Sequence, residues 1–287
     1  MTKVSVIIVT WNSEEDIGAC IDSIIMNTKE SPELSVELII VDNNSSDSTY
    51  EKLRKLNYSN LHIFRNDENL GYTKAVNQGI KNSSGDLFFL LNPDTVLRNN
   101  VIKGLSEFLK NNDSYGACTP LLLNEDGSYQ YSIRNFPSYW SMYSEFHLFA
   151  YIFPKSKLFG NWKMKYFDFT KDSDVNQPMA AALMIKKSVL DKTGIMDERF
   201  EMFFNDVDLC KRIINSGEKI RFLTAVKVLH KKGSSVYKDR IRMIKIWNKD
   251  CIRYFEKHNK NILLLLWLKI NLNISEIIRI LYYKLFI

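Results

Sequence analysis

Val4-Ser5-Val6-Ile7-Ile8-Val9-Thr10-Trp11-Asn12, followed by Val36-Glu37-Leu38-Ile39-Ile40-Val41-Asp42-Asn43-Asn44-Ser45-Ser46-Asp47, decides how this chain folds. Each stretch is a short β-branched and aliphatic run that ends abruptly in amides, hydroxyls and carboxylates. A near-continuous apolar run of this length suits a strand buried on both faces, as in a parallel sheet. Val4–Thr10, Val36–Asp42, Leu61–Arg65 and Leu87–Asn92 read as strands. The segments Glu14–Met26, Thr49–Leu56, Thr73–Ile80 and Val101–Lys110 carry helical spacing between and after them. Ser13-x-x-Asp16 and Ser48-x-x-Glu51 have capping-box form, which predicts side-chain caps on the first two helices. The β-α-β-α order implies an α/β fold with a mostly parallel sheet covered by helices on both faces.

Outward from this half the pattern loosens. Asn124-Glu125-Asp126-Gly127 reads as a hairpin turn, and Pro137 to Trp162 is rich in aromatic residues without a clear period. A buried strand at Ala180–Lys186, a helix at Val207–Asn215 closed by Gly217, and a strand at Val226–Leu229 follow. With no repeat or Pro/Gly-rich linker, residues 1–235 read as one domain and 236–287 as a basic, hydrophobic helical extension. Its run Ile262 to Leu268 is seven apolar residues long, against the roughly 20 needed to span a bilayer. An amphipathic helix lying in a membrane interface, with Trp267, Tyr282 and Tyr283 at headgroup level, and a helix packed on the domain both fit that pattern.

A hydrophobic content of 45% with 25% charged residues excludes a disordered chain and a polytopic membrane protein. The net charge of +6 conceals an asymmetry: Lys219–Ile287 carries +12 and Met1–Glu218 carries −6. Such a split points to an anionic partner near the C-terminus, lipid headgroups or nucleic acid. The latter ranks low, because the segment has no recognisable reader motif. Cys20, Cys118, Cys210 and Cys251 are too dispersed for a zinc site and read as buried thiols of a reducing compartment. Val4–Val9 is too short for a signal peptide, so a cytoplasmic location is expected, with peripheral contact at the inner face of the cell membrane.

In an open parallel sheet, ligands bind beyond the carboxyl ends of the strands. Those positions here are Thr10-Trp11-Asn12, Asp42 to Asp47, Arg65-Asn66 leading to Asn69-Leu70-Gly71, and Asn92-Pro93-Asp94-Thr95. Each alone is ordinary turn chemistry, but together they form one polar crevice. The chain has neither G-x-G-x-x-G nor G-x-x-x-x-G-K-[ST], so a bound diphosphate needs its charge balanced by other means. Mg²⁺ or Mn²⁺ held by a carboxylate and the phosphates would do so, with Asp94 the leading candidate ligand. Asp206 and Asp208 stand at a helix start, where the macrodipole favours anions. That suffices for Asp208, whereas Asp206 follows an aromatic stretch and is a candidate general base. His230, followed by Lys231, Lys232, Gly233, Ser234 and Ser235, is placed to meet a phosphate or its metal.

On these motifs, taken in order, the chain resembles glycosyltransferase family 2 over roughly residues 3–240. The motifs are Val-Ile-Ile-Val-Thr-Trp-Asn, Val-Asp-Asn-Asn-Ser-Ser-Asp, Asn-Leu-Gly-Tyr-x-x-Ala-Val-Asn-x-Gly, Leu-Leu-Asn-Pro-Asp-Thr, the Asp-Glu-Arg-Phe to Asp-Val-Asp-Leu-Cys block, and His-x-x-Gly-x-Ser. Within the family it is most similar to rhamnosyltransferase-like enzymes of bacterial surface polysaccharides such as the lipopolysaccharide O-antigen. The resemblance implies a GT-A fold and a D-x-D metal element whose last acid is Asp94 and whose first position is Asn92. It also implies that Thr10 and Asn12 border the nucleotide, that Asp42 accepts from the N3–H of uracil or thymine, and that Asn69, Gly71 and Asn77 belong to the segment shaping the donor pocket. Asp206 becomes the catalytic base and His230 a metal or phosphate contact.

Three positions depart from the family pattern: amides at Asn92 and Asn205 replace carboxylates, and Glu201 stands where an aromatic residue is usual. The reaction so implied is a metal-dependent, inverting transfer from a nucleotide diphosphate sugar, dTDP-rhamnose first and UDP-hexoses or UDP-N-acetylhexosamines behind it. The acceptor would be a glycan, lipid-linked or polysaccharide. A non-catalytic sugar-nucleotide-binding relative is the competing reading. A nucleotidyltransferase would need a Gly-rich, Arg/Lys-containing first loop that the chain lacks.

Overall fold

The computed structural model describes residues 1–231 and 240–286, with side chains described through Leu281. The elements in chain order are β1 (Thr2–Thr10), α1 (Ile17–Lys29), β2 (Leu34–Asp42), α2 (Thr49–Arg54), β3 (Leu61–Arg65), α3 (Tyr72–Lys81), β4 (Leu87–Leu91), β5 (Thr95–Leu97), α4 (Val101–Asn111) and β6 (Tyr115–Leu123). Then come β7 (Ile133–Arg134), α5 (Tyr139–Phe146), α6 (Phe149–Ile152), β8 (Ser173–Asp174), β9 (Gln177–Pro178), β10 (Ala182–Lys186), α7 (Lys187–Thr193), α8 (Asn205–Asn215), β11 (Lys219–His230), α9 (Arg240–His258) and α10 (Ile262–Phe286).

The main sheet runs β3-β2-β1-β4-β10-β6-β11-β5, with β8 on β11. The first four strands of that order pair in parallel, β10 is antiparallel to both its neighbours, and β6 and β11 are parallel again. Side-chain alternation along β1 divides the core. Val4, Val6 and Ile8 pack with Ile17, Ile21 and Ile24 of α1 and Val101, Leu105 and Leu109 of α4. Ile7 and Val9 pack on the other face with Ala75, Val76 and Ile80 of α3 and Leu209 and Ile213 of α8. The α1 residues stand at i, i+4 and i+7, the spacing of one helical stripe. Gly79 lets α3 approach β1, since a Cβ there would stand 2.5 Å from Ile7 Cγ2. All four cysteines are buried free thiols.

The structure differs from the sequence expectation in several places. Neither Ser13 nor Ser48 caps a helix: Asp16 and Ser48 occupy the N-cap positions and neither makes a side-chain cap. The Ser13 amide donates to Thr49 Oγ1 at 2.8 Å and the Ser48 amide to Glu14 Oε2 at 3.1 Å, so these residues tie the loop after β1 to the loop after β2. Strand β6 is nine residues long, and β11 begins at Lys219, well before Val226. The turn at residues 124–127 forms, with the Gly127 amide donating to the Asn124 carbonyl at 2.9 Å.

A third apolar cluster joins the last two helices to the rest. Cys251, Tyr254 and Phe255 of α9 and Leu268 and Leu272 of α10 pack against Met142, Trp162, Phe200, Phe204 and Val207. Tyr282 and Tyr283 lie beyond the described side chains, and Lys232, Gly233, Ser234 and Ser235 outside the described residues.

Candidate active site

The β1–β2–β3 register sets Thr10 beside Asp42 and Asp42 beside Arg65 at one edge of the sheet. Asp42 is fully buried, accepting from Thr10 Oγ1 at 3.0 Å, Ser45 Oγ at 2.5 Å and the Ser45 amide at 3.2 Å, with Arg65 Nε 3.6 Å away. A carboxylate offers about four lone-pair sites, and these partners take up most of them. Asp42 lies beneath the residues that line the adjoining cleft, so a base above it would have to displace one partner. Asn12 and Asn44 both adopt positive φ, a conformation asparagine tolerates better than most residues. Asn12 turns its Oδ1 to the Ser46 amide at 2.8 Å and closes the first loop onto the second. Asn43 binds the next loop in the same manner, donating to Asn69 Oδ1 at 2.8 Å and accepting from the Leu70 amide at 3.0 Å. Gly71 follows at φ +84°, a conformation that calls for glycine, with its Cβ position in ordinary contact with the Glu201 carbonyl at 3.4 Å.

These loops line a cleft whose walls include Trp11, Asn43, Asn69, Gly71, Tyr72 and Pro93. Glu201 and Met202 close it from the segment before α8, and Arg242, Met243 and Ile246 close it from α9. The four strand ends therefore meet in one crevice, and α9 supplies its far wall. Asn77 lies elsewhere. Its Oδ1 accepts the Met196 amide at 3.1 Å, and its Nδ2 donates to the Met196 carbonyl at 2.8 Å and Glu198 Oε1 at 3.0 Å. Both ends of that buried amide hold the 196–198 segment on α3, so Asn77 supports the pocket and does not line it.

Asp94, in the turn between β4 and β5, is buried with its Oδ1 3.3 Å from Nε2 of His230 at the end of β11. Antiparallel pairing sets His230 opposite Thr95 and so brings it there. His230 Nδ1 lies 2.7 Å from Gln130 Oε1. The other end of Gln130 donates to Asn124 Oδ1 at 3.0 Å and to the His230 carbonyl at 3.3 Å, which fixes the orientation of its amide. Nδ1 therefore donates to Gln130, and Nε2 faces Asp94 and Asn92 Nδ2, the latter 3.5 Å away. An imidazole anchored through one nitrogen and open at the other is the usual second-shell arrangement of a metal-ligating histidine. Among the described residues no three His, Cys, Asp or Glu side chains converge as a metal cluster. A cation here would hold one carboxylate and one imidazole from the protein and take its remaining oxygens from a ligand, as Mg²⁺ and Mn²⁺ do with phosphates.

Asp206 opens α8, half-buried. Its Oδ2 accepts from Gln177 Nε2 at 3.2 Å and the Ala180 amide at 3.4 Å, and its Oδ1 accepts the Val207 amide at 2.8 Å. Burial raises its pKa above the ordinary carboxylate range, and the charge of Arg134 and the three amide contacts offset this only in part. Arg134 pairs with Gln177 across β7–β9 and stacks on Trp162 at 5.7 Å. Tyr72 joins the two acids: burial raises its phenol pKa, and the fields of Asp206 and then Asp94 raise it further, so both carboxylates bear on one side chain of the cleft. The amide at Asn205 is fully used, donating to Thr73 Oγ1 at 2.9 Å and the Met202 carbonyl at 3.0 Å while accepting the Asp206 amide at 2.6 Å. A carboxylate could keep the Asp206 amide and turn the Thr73 hydroxyl into a donor, but it would lose the Met202 carbonyl. Asp208 turns away to Arg212, Lys257 and His258 at 2.9, 2.6 and 2.7 Å, which makes it an anchor for α9.

Tyr72, Gln130, Arg134, Gln177 and Asp250 escaped the sequence reading. Asp250 of α9 is fully buried and accepts the consecutive amides of Glu201, Met202 and Phe203 at 3.0 to 3.2 Å. The next residue, Phe204, holds φ +59° as the N-cap of α8, so a buried carboxylate secures the strained turn that presents Asp206. Tyr72 stood within a quoted motif. The others carried no local signal, because their partners are distant in sequence.

With this geometry in hand, residues 5–172 match the family model described as glycosyl transferase family 2. An N-acetylglucosaminyl-diphospho-decaprenol L-rhamnosyltransferase of Mycobacterium tuberculosis is 26% identical over 220 residues, covering 72% of this chain and 70% of that protein. The dTDP-rhamnosyl transferase RfbF of Shigella flexneri is 24% identical over 241 residues, covering 83% and 72%. Among solved structures, residues 1–349 of S. aureus TarS align with a TM-score of 0.55 at 17% identity, over 90% of this chain and 73% of that one. GalNAc-T7 with UDP, GalNAc and Mn²⁺ aligns at 0.61 and 16% identity, over 89% and 48%. These two share the fold, a mostly parallel sheet flanked by helices.

Proposed function

The chain belongs to glycosyl transferase family 2, and from that premise we propose that it is an inverting, metal-dependent transferase. It would move a sugar, rhamnose from dTDP-rhamnose in the first instance, onto a lipid-linked or polysaccharide glycan acceptor. The observation that carries this reading is the short backbone link between the two acids beside the cleft: the Asn92 amide, two residues before Asp94, donates to the Ala181 carbonyl at 2.9 Å, and the Ala180 amide donates to Asp206 Oδ2 at 3.4 Å. Rhamnosyl transfer in the names of both relatives, with dTDP in that of RfbF, supports the choice of sugar and donor.

In this reading the nucleotide base lies over the ends of β1 and β2, where Asp42 accepts its N3–H and Thr10 and Asn12 border it. Asn69 and Gly71 shape the wall beside the sugar and phosphates. A Mg²⁺ or Mn²⁺ ion held by Asp94 and His230 would offset the charge that develops on the departing diphosphate. Asn92 Nδ2 lies 3.5 Å from Nε2 of His230, a contact that the ion would replace. Asp206 takes the proton from the acceptor hydroxyl as its oxygen bonds to the anomeric carbon and the bond to the diphosphate breaks. Burial serves that role by raising the basicity of the carboxylate, and the charge of Arg134 opposes that rise in part.

A panel of dTDP- and UDP-sugars, assayed for nucleotide release with Mg²⁺, Mn²⁺ and chelator, tests the proposal. The expected outcome is cation-dependent release that is fastest with dTDP-rhamnose. Preference for a UDP-hexose or UDP-N-acetylhexosamine would reassign the donor, and no release from any donor would favour a sugar-nucleotide-binding role.

A further inference from the structure

Helix α10 is built inside out. Its charged side chains up to residue 281 all turn toward α9: Lys269 pairs with Glu256 at 2.7 Å, Glu276 accepts from Asn248 Nδ2 at 2.8 Å, and Arg279 donates to Asn248 Oδ1 at 3.0 Å. Leu268 and Leu272 are buried against the third core cluster. The opposite stripe is Leu263, Leu266, Ile270, Ile274, Ile277 and Leu281, spaced by three and four residues and exposed throughout, Leu263 by 78%. A helix that merely covered a domain would carry the reverse polarity. A contiguous apolar stripe of this length marks a surface meant to be covered.

A second exposed segment continues it. Trp267 stands 6.1 Å from the Tyr143 ring, Tyr143 6.2 Å from Phe149, Phe149 5.3 Å from Phe159 and Phe159 5.7 Å from Phe153. That row of rings leads from α10 to Tyr151, Ile152, Phe153 and Leu158, all exposed, Tyr151 by 82%. The flanks are basic. Residues 137–166 contain Lys155, Lys157, Lys163 and Lys165 against a single acid, Glu145, and Lys260 precedes α10.

We propose that α10 and the 151–158 segment form one face that binds an anionic bilayer, the helix lying in the plane of the headgroups. Exposed apolar side chains and aromatic rings, flanked in the chain by exposed lysines, suit such a surface. Two copies of the face would bring like charges together, which disfavours self-association as the occupant. Among the described residues no helix is long and apolar enough to cross a membrane, so the helix lies on the bilayer and does not span it.

The test is flotation of the full chain with phosphatidylcholine vesicles, with and without phosphatidylglycerol, in the absence of any sugar nucleotide. Its failure therefore leaves the transferase reading untouched. The parent should float with the anionic vesicles. Ile270→Glu/Ile277→Glu and, on the second segment, Phe153→Glu should each weaken binding by about tenfold or more with unchanged melting curves, since the altered side chains face solvent. Failure of the parent to bind, equal binding to neutral vesicles, or variants that bind like the parent would overturn the proposal. So would a dimer in sedimentation that Ile270→Glu/Ile277→Glu dissolves while the parent ignores vesicles.

Discussion

Nε2 of His230 lies 3.3 Å from Oδ1 of Asp94, and the far side of the same imidazole is anchored by Gln130 at 2.7 Å. The pair is assembled by antiparallel pairing of β11 with β5, and its orientation depends on a glutamine from the hairpin after β6. Asp94→Asn should abolish the Mn²⁺ dependence of dTDP or UDP binding in titration calorimetry. Gln130→Ala, which leaves both candidate ligands in place, should weaken Mn²⁺-dependent binding by about 10- to 100-fold, the usual cost of an outer-shell partner. Equal affinity in the two variants and the parent would remove the cation from this position.

Asn205 occupies a position where a carboxylate would collide electrostatically with the Met202 carbonyl and with Asp206. Asp206 already has a raised pKa, chiefly from burial. A general base works only when ionised, so the acid limb of kcat/KM should lie above the ordinary carboxylate range near pH 4. Asn205→Asp adds a like charge and should move that limb about one pH unit higher. A limb at or below the ordinary range in the parent would contradict the assignment.

Asp250 accepts the amides of Glu201 and Met202, which close the cleft, and of Phe203, which leads on to Phe204 and Asp206. Asp250→Asn turns an acceptor into a partial donor against those amides, and loss of such contacts costs about 1–3 kcal/mol each where no replacement is found. We expect kcat to fall more than tenfold with donor KM changed about twofold or less, because the distortion falls on the base and not on the nucleotide end. Leu272→Ala, which loosens the same cluster, should lower the melting temperature without that split. Parallel losses in kcat and stability for both variants would make Asp250 a packing residue only.

Glu37 pins the opposite end of the sheet, accepting from Ser5 Oγ and the Ser84 amide, each at 2.6 Å, and from Lys3 at 2.9 Å. Burial alone would raise its pKa, but these contacts prevail and lower it from about 4.5 to about 2. A depressed folded-state pKa gives stability that is fully present above the unfolded value and lost as pH falls through the folded one. The contribution, up to about 3 kcal/mol, should disappear between roughly pH 4.5 and pH 2. Denaturant titrations of the parent and Glu37→Gln across that window check this, and matching pH slopes would contradict it.

The first half of the fold was legible because its strands are continuous apolar runs and its helices keep a 3.6-residue period, so Leu61–Arg65 and Val101–Asn111 fall where the pattern puts them. Strand β6 escaped because Gly116, Cys118 and Pro120 interrupt its apolar run, although Ala117, Cys118 and Leu121 are buried in the sheet. The capping boxes misled because the Ser13 and Ser48 amides are tied to the facing loops, while the Ser13 hydroxyl turns back to Trp11. Thr10, Asp42, Asp94, Asp206 and His230 could be singled out from their place after strands or at a helix start. Asp250 and Gln130 could not, since what recommends them is contact with segments far away in the chain. Asn77 was drawn in by its neighbours in a motif, while its side chain serves the 196–198 segment.

The most direct measurement is single-turnover transfer by Asp206→Asn, with donor affinity determined on the same preparation. General-base assistance contributes about 10²–10⁴-fold, so turnover should fall by that factor while the donor dissociation constant stays within about twofold of the parent. Turnover close to that of the parent would show that Asp206 does not receive the acceptor's proton.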